Sequence, residues 1–465
     1  MKRLKTELNA LVNRGVDRHL RLAVTGLSRS GKTAFITALV NQLLNIHTGA
    51  RLPLLSAARE ERLLGVKRVP QRDFGIPRFT YDEGLAQLYG QPPMWPTPTR
   101  GVSEIRLALR YRSNDSLLRH FKDTSTLYLE IVDYPGEWLL DLPMLAQDYL
   151  SWSRQMTGLL QGQRAEWSAR WRQLCAGLDP LAPADEARLA DIAAAWTDYL
   201  HACKREGLHF IQPGRFVLPG EMAGAPALQF FPWPDVDAVG EAKLAQADKH
   251  SNAGMLHERY KYYCERVVKG FYKEHFLRFD RQIVLVDCLQ PLNSGPQAFN
   301  DMRLALTQLM QSFHYGQRTL FRRLFSPVID KLLFAATKAD HVTIDQHSNM
   351  VSLLQQLIQD AWQNAAFEGI SMDCLGLASI QATQSGLIEV NGEKIPALRG
   401  NRLSDGQPLT IYPGEVPARL PGQAFWQQQG FQFENFRPQV MDVDRPLPHI
   451  RLDAALEFLI GDKLR

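Results

Sequence analysis

Gly26-Leu-Ser-Arg-Ser-Gly31-Lys32-Thr33 sets two glycines, a lysine and a threonine in the spacing G-x-x-x-x-G-K-[ST]. Successive backbone N–H groups in such a loop wrap a phosphate, and those of Ser28, Arg29, Ser30, Gly31, Lys32, Thr33 and Ala34 are the candidates here. Gly26 and Gly31 let the main chain approach where a Cβ would obstruct the turn or the ligand. The Lys32 ammonium suits the β/γ-phosphate oxygens, and the Thr33 hydroxyl suits Mg²⁺. Average composition makes a chance match in a chain of this length a roughly 0.01 to 0.03 event.

Two further runs carry complementary chemistry. Leu127-Tyr-Leu-Glu-Ile-Val-Asp133 ends in a carboxylate and continues as Tyr134-Pro135-Gly136-Glu137. A carboxylate at that point holds magnesium through water, and the glycine closing D-x-x-G offers its N–H to a γ-phosphate, so Asp133 and Gly136 are assigned those tasks. Lys331–Ala336 leads into Thr337-Lys338-Ala339-Asp340. An aspartate there can accept the ring N–H and the exocyclic amino group of guanine, a donor pair adenine lacks, while the lysine stem covers the base. Adenine would leave Asp340 without its donors, which favours GTP over ATP. Ala382, in Gln381-Ala382-Thr383 after the apolar run Cys374–Ile380, is the candidate for a backbone N–H to guanine O6. Asp287, within the apolar run Gln282–Leu289, is a candidate second functional carboxylate, with a structural role at a strand end as the favoured reading. Within the irregular loop Pro92–Arg100, Thr99 is the first candidate and Thr97 the second for a threonine reaching magnesium.

These residues need strands that end at one edge and a helix that starts there. Arg21–Thr25 reads as a short apolar strand feeding the loop, and Ala34–Leu44 as the following helix. The spacing predicts an α/β fold with a mixed, mostly parallel sheet, a large helical insertion and a C-terminal α+β extension. The expected organisation is a basic N-terminal helix over 1–20, the core in two parts at 21–140 and 276–384, the insertion at 141–275 and the extension at 385–465. In the insertion, Tyr149–Cys203 and Glu258–Glu274 have helical periodicity, and their aromatic residues read as core. Asn391-Gly392 marks a hairpin in the extension, and Leu452–Leu464 a helix.

The 465 residues are 45% hydrophobic and 22% charged, enough to bury a sizeable core. A net charge of +4 from 53 basic and 49 acidic residues gives no reason to expect a nucleic-acid partner. Five scattered cysteines fit reduced thiols in a cytoplasmic compartment and no zinc site. No membrane span or secretory signal is expected; the basic amphipathic N-terminus suits docking or a peripheral membrane contact.

The runs GLSRSGKT, IVDYPGEWLLDLP, TKAD, ASIQAT, NGEKIPALRG and LIGDKL together resemble the YcjX-like family of bacterial P-loop GTPases, over nearly the whole chain, on a TRAFAC-type, Ras-like core. The resemblance implies a cytoplasmic, Mg²⁺-dependent GTPase acting as a conformational switch, tied to stress responses and, through its operons, to a membrane-protein partner at the inner membrane. Two residues depart from the simple pattern. Small Ras-like GTPases place glutamine after D-x-x-G to orient water, whereas this chain has Glu137, which implies slow intrinsic turnover. The loop is also similar to that of guanylate-binding proteins and atlastins, in which an arginine at the position of Arg29 acts in cis on the developing charge and is oriented by dimerisation. Arg29 and Lys32 are thus catalytic candidates beside Glu137 and Thr99, and a nucleotide-dependent homodimer follows as an expectation. A P-loop ATPase or kinase, and a nucleotide-stabilised scaffold with negligible turnover, are the competing readings.

Overall fold

A computed structural model describes residues 18–114, 124–315, 329–359, 362–363, 366, 369–428 and 431–465. The expected N-terminal helix lies outside them, apart from residues 18–20, which are extended. The described residues of Met1–Tyr134, Phe279–Pro296 and Pro327–Arg465 form one compact unit, and those of Pro135–Arg278 and Gln297–Ser326 a second.

The first unit is built on a seven-stranded sheet: β1 (Arg18–Gly26), β2 (Leu63–Arg68), β3 (Ser103–Arg112), β4 (Thr124–Asp133), β5 (Arg281–Val286), β6 (Lys331–Ala336) and β7 (Ser371–Gly376), in the order β2-β3-β4-β1-β5-β6-β7. Strands β1, β4, β5, β6 and β7 run parallel, and at one edge β3 pairs antiparallel with β4 and β2 antiparallel with β3. The central strands are buried along nearly their whole length, as runs such as Ile-Val-Leu-Val and Leu-Leu-Phe-Ala-Ala require when helices cover both faces. Register sets the functional edge. Val24 pairs with Asp133, Gly26 with Leu285, Val286 with Ala336 and Ala336 with Gly376, so the carboxyl ends of all five parallel strands fall together. A ligand site in an open α/β sheet belongs at that edge.

Helix α1 (Lys32–Leu44) follows β1 and is buried on most of its circumference. Its Asn41 and Gln42 side chains bind the backbone of Leu447, at 2.9 and 2.7 Å, fixing the chain that enters the C-terminal helix Leu452–Ile460. That helix contributes Leu452, Leu456 and Leu459 to the same apolar core as Phe35 and Leu39 of α1. Asp462, just beyond it, bridges to the buried Arg281 of β5, and the Arg281 and Lys331 cations hold its carboxyl well below the usual range against the effect of burial. The C-terminal residues are therefore integral to the core. A three-stranded antiparallel sheet, β8 (Gln384–Val390), β9 (Glu393–Asn401) and β10 (Pro408–Ile411), completes this unit, and its β8–β9 turn uses Asn391 and Gly392, both at positive φ.

The second unit is helical, with α2 (Tyr149–Gly158), α3 (Glu186–Arg205), α4 (Asn252–Tyr262) and most of α5 (Pro296–Tyr315). Helices α2, α3 and α4 start on side-chain caps from Asp148, Asp185 and Ser251. Trp152, Trp171 and Trp196 are buried core residues; Trp152 packs on Tyr149, Phe230 and Tyr260, and the ring centres of Trp171 and Trp196 are 4.8 Å apart. A buried Arg164–Asp301 pair at 2.6 Å anchors α5 within this unit, and Asp301 also accepts the Phe210 amide at 3.1 Å. Residues 297–315, which the sequence reading placed in the second part of the core, pack in this unit.

Candidate nucleotide-binding site

The chain turns at Gly26 because nothing larger fits. A Cβ there would lie 2.6 Å from the Leu285 carbonyl oxygen, which instead accepts the Leu27 amide at 3.2 Å. Ser30 N–H closes back on Leu27 at 3.1 Å, and Arg29 and Gly31 take φ of 63° and 86°. Gly31 then caps α1, whose Phe35 amide bonds its carbonyl at 2.9 Å, and no acidic side chain stands in the first turn. This alternation turns loop amides inward at the positive end of a helix, a cradle for an anion. The Ser30 hydroxyl is buried with no hydrogen-bond partner among the described residues, Thr33 is buried at the helix start, and Ser28, Lys32 and Ala34 are half-exposed. Arg29 is exposed.

Asp133 is fully buried at the end of β4, one strand from the loop. The Thr99 hydroxyl donates to its Oδ2. Thr97 is held elsewhere, its hydroxyl accepting from Gln87 at 2.8 Å and its amide donating back to the same side chain at 2.9 Å. Of the two threonines the structure brings only Thr99 to the carboxylate. Hydroxyls and one carboxylate are hard oxygen donors that fit Mg²⁺, an ion that keeps several of its waters, and the described residues contain no cluster of three or more His, Cys, Asp or Glu suited to another metal.

Past Asp133 the chain enters the helical unit, where Gly136–Leu139 forms a single helical turn. Glu137 is buried, and Lys204 of α3 donates to its carboxylate at 2.7 Å. Gly214 packs so tightly on the Glu137 carbonyl that a Cβ would overlap it. The Arg215 guanidinium sits 3.3 Å from the Trp138 ring centre, and Asp141 receives the Gly214 amide at 2.8 Å and the Tyr263 hydroxyl at 2.6 Å. Burial pushes the Asp141 carboxyl up to about 7 although these donors oppose it. The residue that the sequence suggested for orienting water is thus tied into a dense structural cluster.

At the ends of β6 and β7 the base-reading candidates meet. Asp340 is buried, its Oδ2 accepting the Ala382 amide at 2.7 Å and its Oδ1 lying 2.8 Å from His341 Nδ1. Burial disfavours its charge, yet His341 and the Ala382 N–H together hold the carboxyl below its ordinary value. Thr383 fixes the same loop by donating to the Asp340 carbonyl, and the Thr337 and Ala339 amides bond Val286 and Leu377, at 2.9 and 3.0 Å. A phosphate cradle, a magnesium-type oxygen set and a carboxylate–amide pair therefore occupy one sheet edge in motif order, and the family model matches along the whole arrangement, residues 20–464. The chain belongs to the YcjX-like family, DUF463. It is 91% identical to the "Ras-like GTPase YcjX" of Escherichia coli K12 over 465 residues, all of both chains. It is 46% identical to the protein of the same name from Shewanella oneidensis MR-1, covering all of this chain and 98% of that one.

Within this YcjX-like site, two features escaped sequence reading. Asp287, read as structural, caps the turn that follows β5 through its Oδ1 and the Leu289 and Gln290 amides, and also takes the Lys338 ammonium on Oδ2 at 2.7 Å. Burial opposes ionisation, but the Lys338 cation keeps its carboxyl below the usual range. Lys338 adopts φ 63°, a left-handed conformation unfavourable for a residue with a Cβ and sustained by this anchoring. The second feature is the strand before Ala382, which is Ser371–Gly376 rather than Cys374–Ile380. Leu377–Ile380 is apolar for another reason: Ala378 leaves the ladder to pair with Ile450.

Proposed function

We propose that this protein binds guanine nucleotide with Mg²⁺ at the carboxyl edge of the sheet and hydrolyses GTP as a nucleotide-driven switch. The observation that carries the reading is the Asp340–Ala382 pair. A carboxylate acceptor next to an amide donor is the complement of guanine, whose N1–H and 2-amino group donate while O6 accepts; adenine presents the opposite pattern at the 6-position and has no 2-amino group. The names of both relatives support it.

In this reading the amides from Ser28 to Ala34, with Lys32, bind and orient the phosphates. Thr33, Thr99 and Asp133 hold the magnesium, directly or through water. The ion, when bound, neutralises charge that develops on the phosphate oxygens. Lys338 covers one base face and Asp340 selects guanine. Turnover by the chain alone is slow, because the Glu137 carboxylate is engaged by Lys204 rather than poised as a mobile base. The proposed nucleotide-dependent homodimer would bring Arg29, exposed at the loop, onto the transferring phosphoryl group. Among the described residues no helix is long and apolar enough to cross a membrane.

Titration calorimetry with GDP and ADP in the presence of Mg²⁺ tests nucleotide choice, and multiple-turnover phosphate release tests hydrolysis. Expected are a GDP preference of at least about a hundredfold, from two hydrogen bonds to a charged acceptor, and a slow but measurable GTP turnover. Equal affinity, or a preference for ADP, would overturn the assignment.

A further inference from the structure

The anchoring of Lys338 and Asp340 does not end with their own loop. Asn435, near the C-terminus, accepts from the Lys338 ammonium at 3.3 Å beside Asp287, and that ammonium lies 5.2 Å from the centre of the Phe433 ring. The His341 ring that faces Asp340 is stacked on Phe433 at 5.5 Å and tilted against Phe436 at 5.2 Å. One short stretch of chain therefore touches the lysine and the partner of the aspartate, the two side chains that the base-reading motif depends on. We propose that the tetrapeptide Phe433-Glu-Asn-Phe436 is a positioning clamp of the base site that sets affinity and selectivity for guanine. The proposal rests on the guanine-nucleotide reading above and extends it to residues outside any nucleotide-binding motif.

The physical reason is entropic. A lysine free at its tip samples many rotamers, and ordering it on a base costs that side-chain freedom. Held at the ammonium by Asp287 and Asn435, the Lys338 stem is already extended when a base arrives. His341 fixed between two rings aims its Nδ1 at Asp340 in the same way, so both groups are set before binding. The clamp is itself rigid. The Phe433 amide donates to Asn293 at 3.2 Å, the Leu403 amide to the Asn435 carbonyl at 2.7 Å, and Gly400 packs so closely on Phe436 that a Cβ would lie 2.7 Å from its ring. The Phe436 carbonyl also accepts the Trp95 indole N–H at 2.8 Å, four residues before Thr99, which gives the clamp a fixed bond to the loop that reaches Asp133.

A double-mutant cycle on the full-length protein tests the proposal, with Mg²⁺-GDP and Mg²⁺-IDP affinities measured by calorimetry for the wild type, Asn435→Ala, Phe433→Leu, Lys338→Ala and Asn435→Ala/Lys338→Ala. Inosine lacks the 2-amino group, so the GDP-to-IDP ratio reads how well Asp340 is aimed. Asn435→Ala is expected to weaken GDP roughly tenfold, the size of one hydrogen bond to a charged group. Its effect should shrink to less than about twofold once Lys338 is absent, because the two act as one unit. Phe433→Leu should lower the GDP-to-IDP ratio by at least about threefold by releasing His341. Melting curves confirm folding, and Asn435→Ala carries the test alone if Phe433→Leu is unstable. Wild-type affinity in Asn435→Ala, or an unchanged penalty in the Lys338→Ala background, would overturn the clamp while leaving the guanine reading intact. A wild type that fails to prefer GDP over ADP would overturn both.

Discussion

Replacing Asp340 by asparagine isolates the chemistry of base selection. In the structure both carboxylate oxygens are partnered, Oδ2 by the Ala382 amide at 2.7 Å and Oδ1 by His341 at 2.8 Å. Asparagine can keep the first bond on its carbonyl oxygen and turn its amide nitrogen to His341, whose ring accepts in the other tautomer, so the fold should survive. Guanine then meets one acceptor instead of two. A hydrogen bond to a charged acceptor contributes about 1.5 to 3 kcal/mol, and an N–H facing an N–H adds repulsion, so GDP should lose about 3 kcal/mol, roughly a hundredfold. Xanthine carries a carbonyl where guanine carries its 2-amino group, and accepts from the new amide. Calorimetric titration of wild type and Asp340→Asn with GDP and XDP should show the preference inverted. A variant that binds GDP within about threefold of wild type, or an unchanged XDP-to-GDP ratio, would refute the assignment of Asp340 to the base.

Gly26→Ala should abolish nucleotide binding, since its Cβ would lie 2.6 Å from the Leu285 carbonyl oxygen, and the displaced strand end should lower stability by about 1 to 3 kcal/mol in a urea melt. Arg29→Ala should leave GDP affinity unchanged, reduce GTP turnover by at least about tenfold, and remove any self-association seen by light scattering with a non-hydrolysable GTP analogue. Asp141 titrates in the folded protein at about 7 against 3.8 in an unfolded chain, so the native state holds the proton more tightly, and the stability this confers is lost as pH rises from about 4 through 7. Asp141→Asn mimics the protonated form, and urea melts should show its stability relative to wild type rising by about 2 to 3 kcal/mol between pH 5 and pH 8.

What sequence reading reached depends on whether geometry and chemistry share one stretch of chain. The phosphate loop did, because Gly26, Gly31, Lys32 and Thr33 set the turn and supply the donors within eight residues. Asp133 and the Thr337–Asp340 run were legible because a buried strand delivers each to the sheet edge, and parallel register then aligns the edges without further information. The Thr99 contact with Asp133 spans 34 residues and an irregular loop, so spacing could rank Thr99 before Thr97 but not show which of them meets the carboxylate. Strand β2 was missed for the opposite reason: it lies at an edge, is only partly buried, and Leu63-Leu-Gly-Val-Lys-Arg carries little periodicity.

The partners of Glu137, Asp287 and Lys338 show why the remainder stayed hidden. Each is a charged residue whose type announces an ability to do chemistry, and each is bonded to a residue far along the chain: Lys204 at a separation of 67, Lys338 at 51 and Asn435 at 97. A sequence pattern constrains which residues reach the sheet edge, but an ion pair formed across such distances decides whether a given side chain meets the ligand directly or holds another in place. Glu137 thereby changes from a candidate for orienting water into a residue tethered to Lys204, and Asp287 from a strand-end cap into an anchor for Lys338 as well. The buried carboxylates of this fold are distinguished by their partners: Asp133 by the hydroxyl of a loop that reaches it, Asp340 by the Ala382 amide and the His341 ring, and Glu137 and Asp287 by lysine ammonium groups.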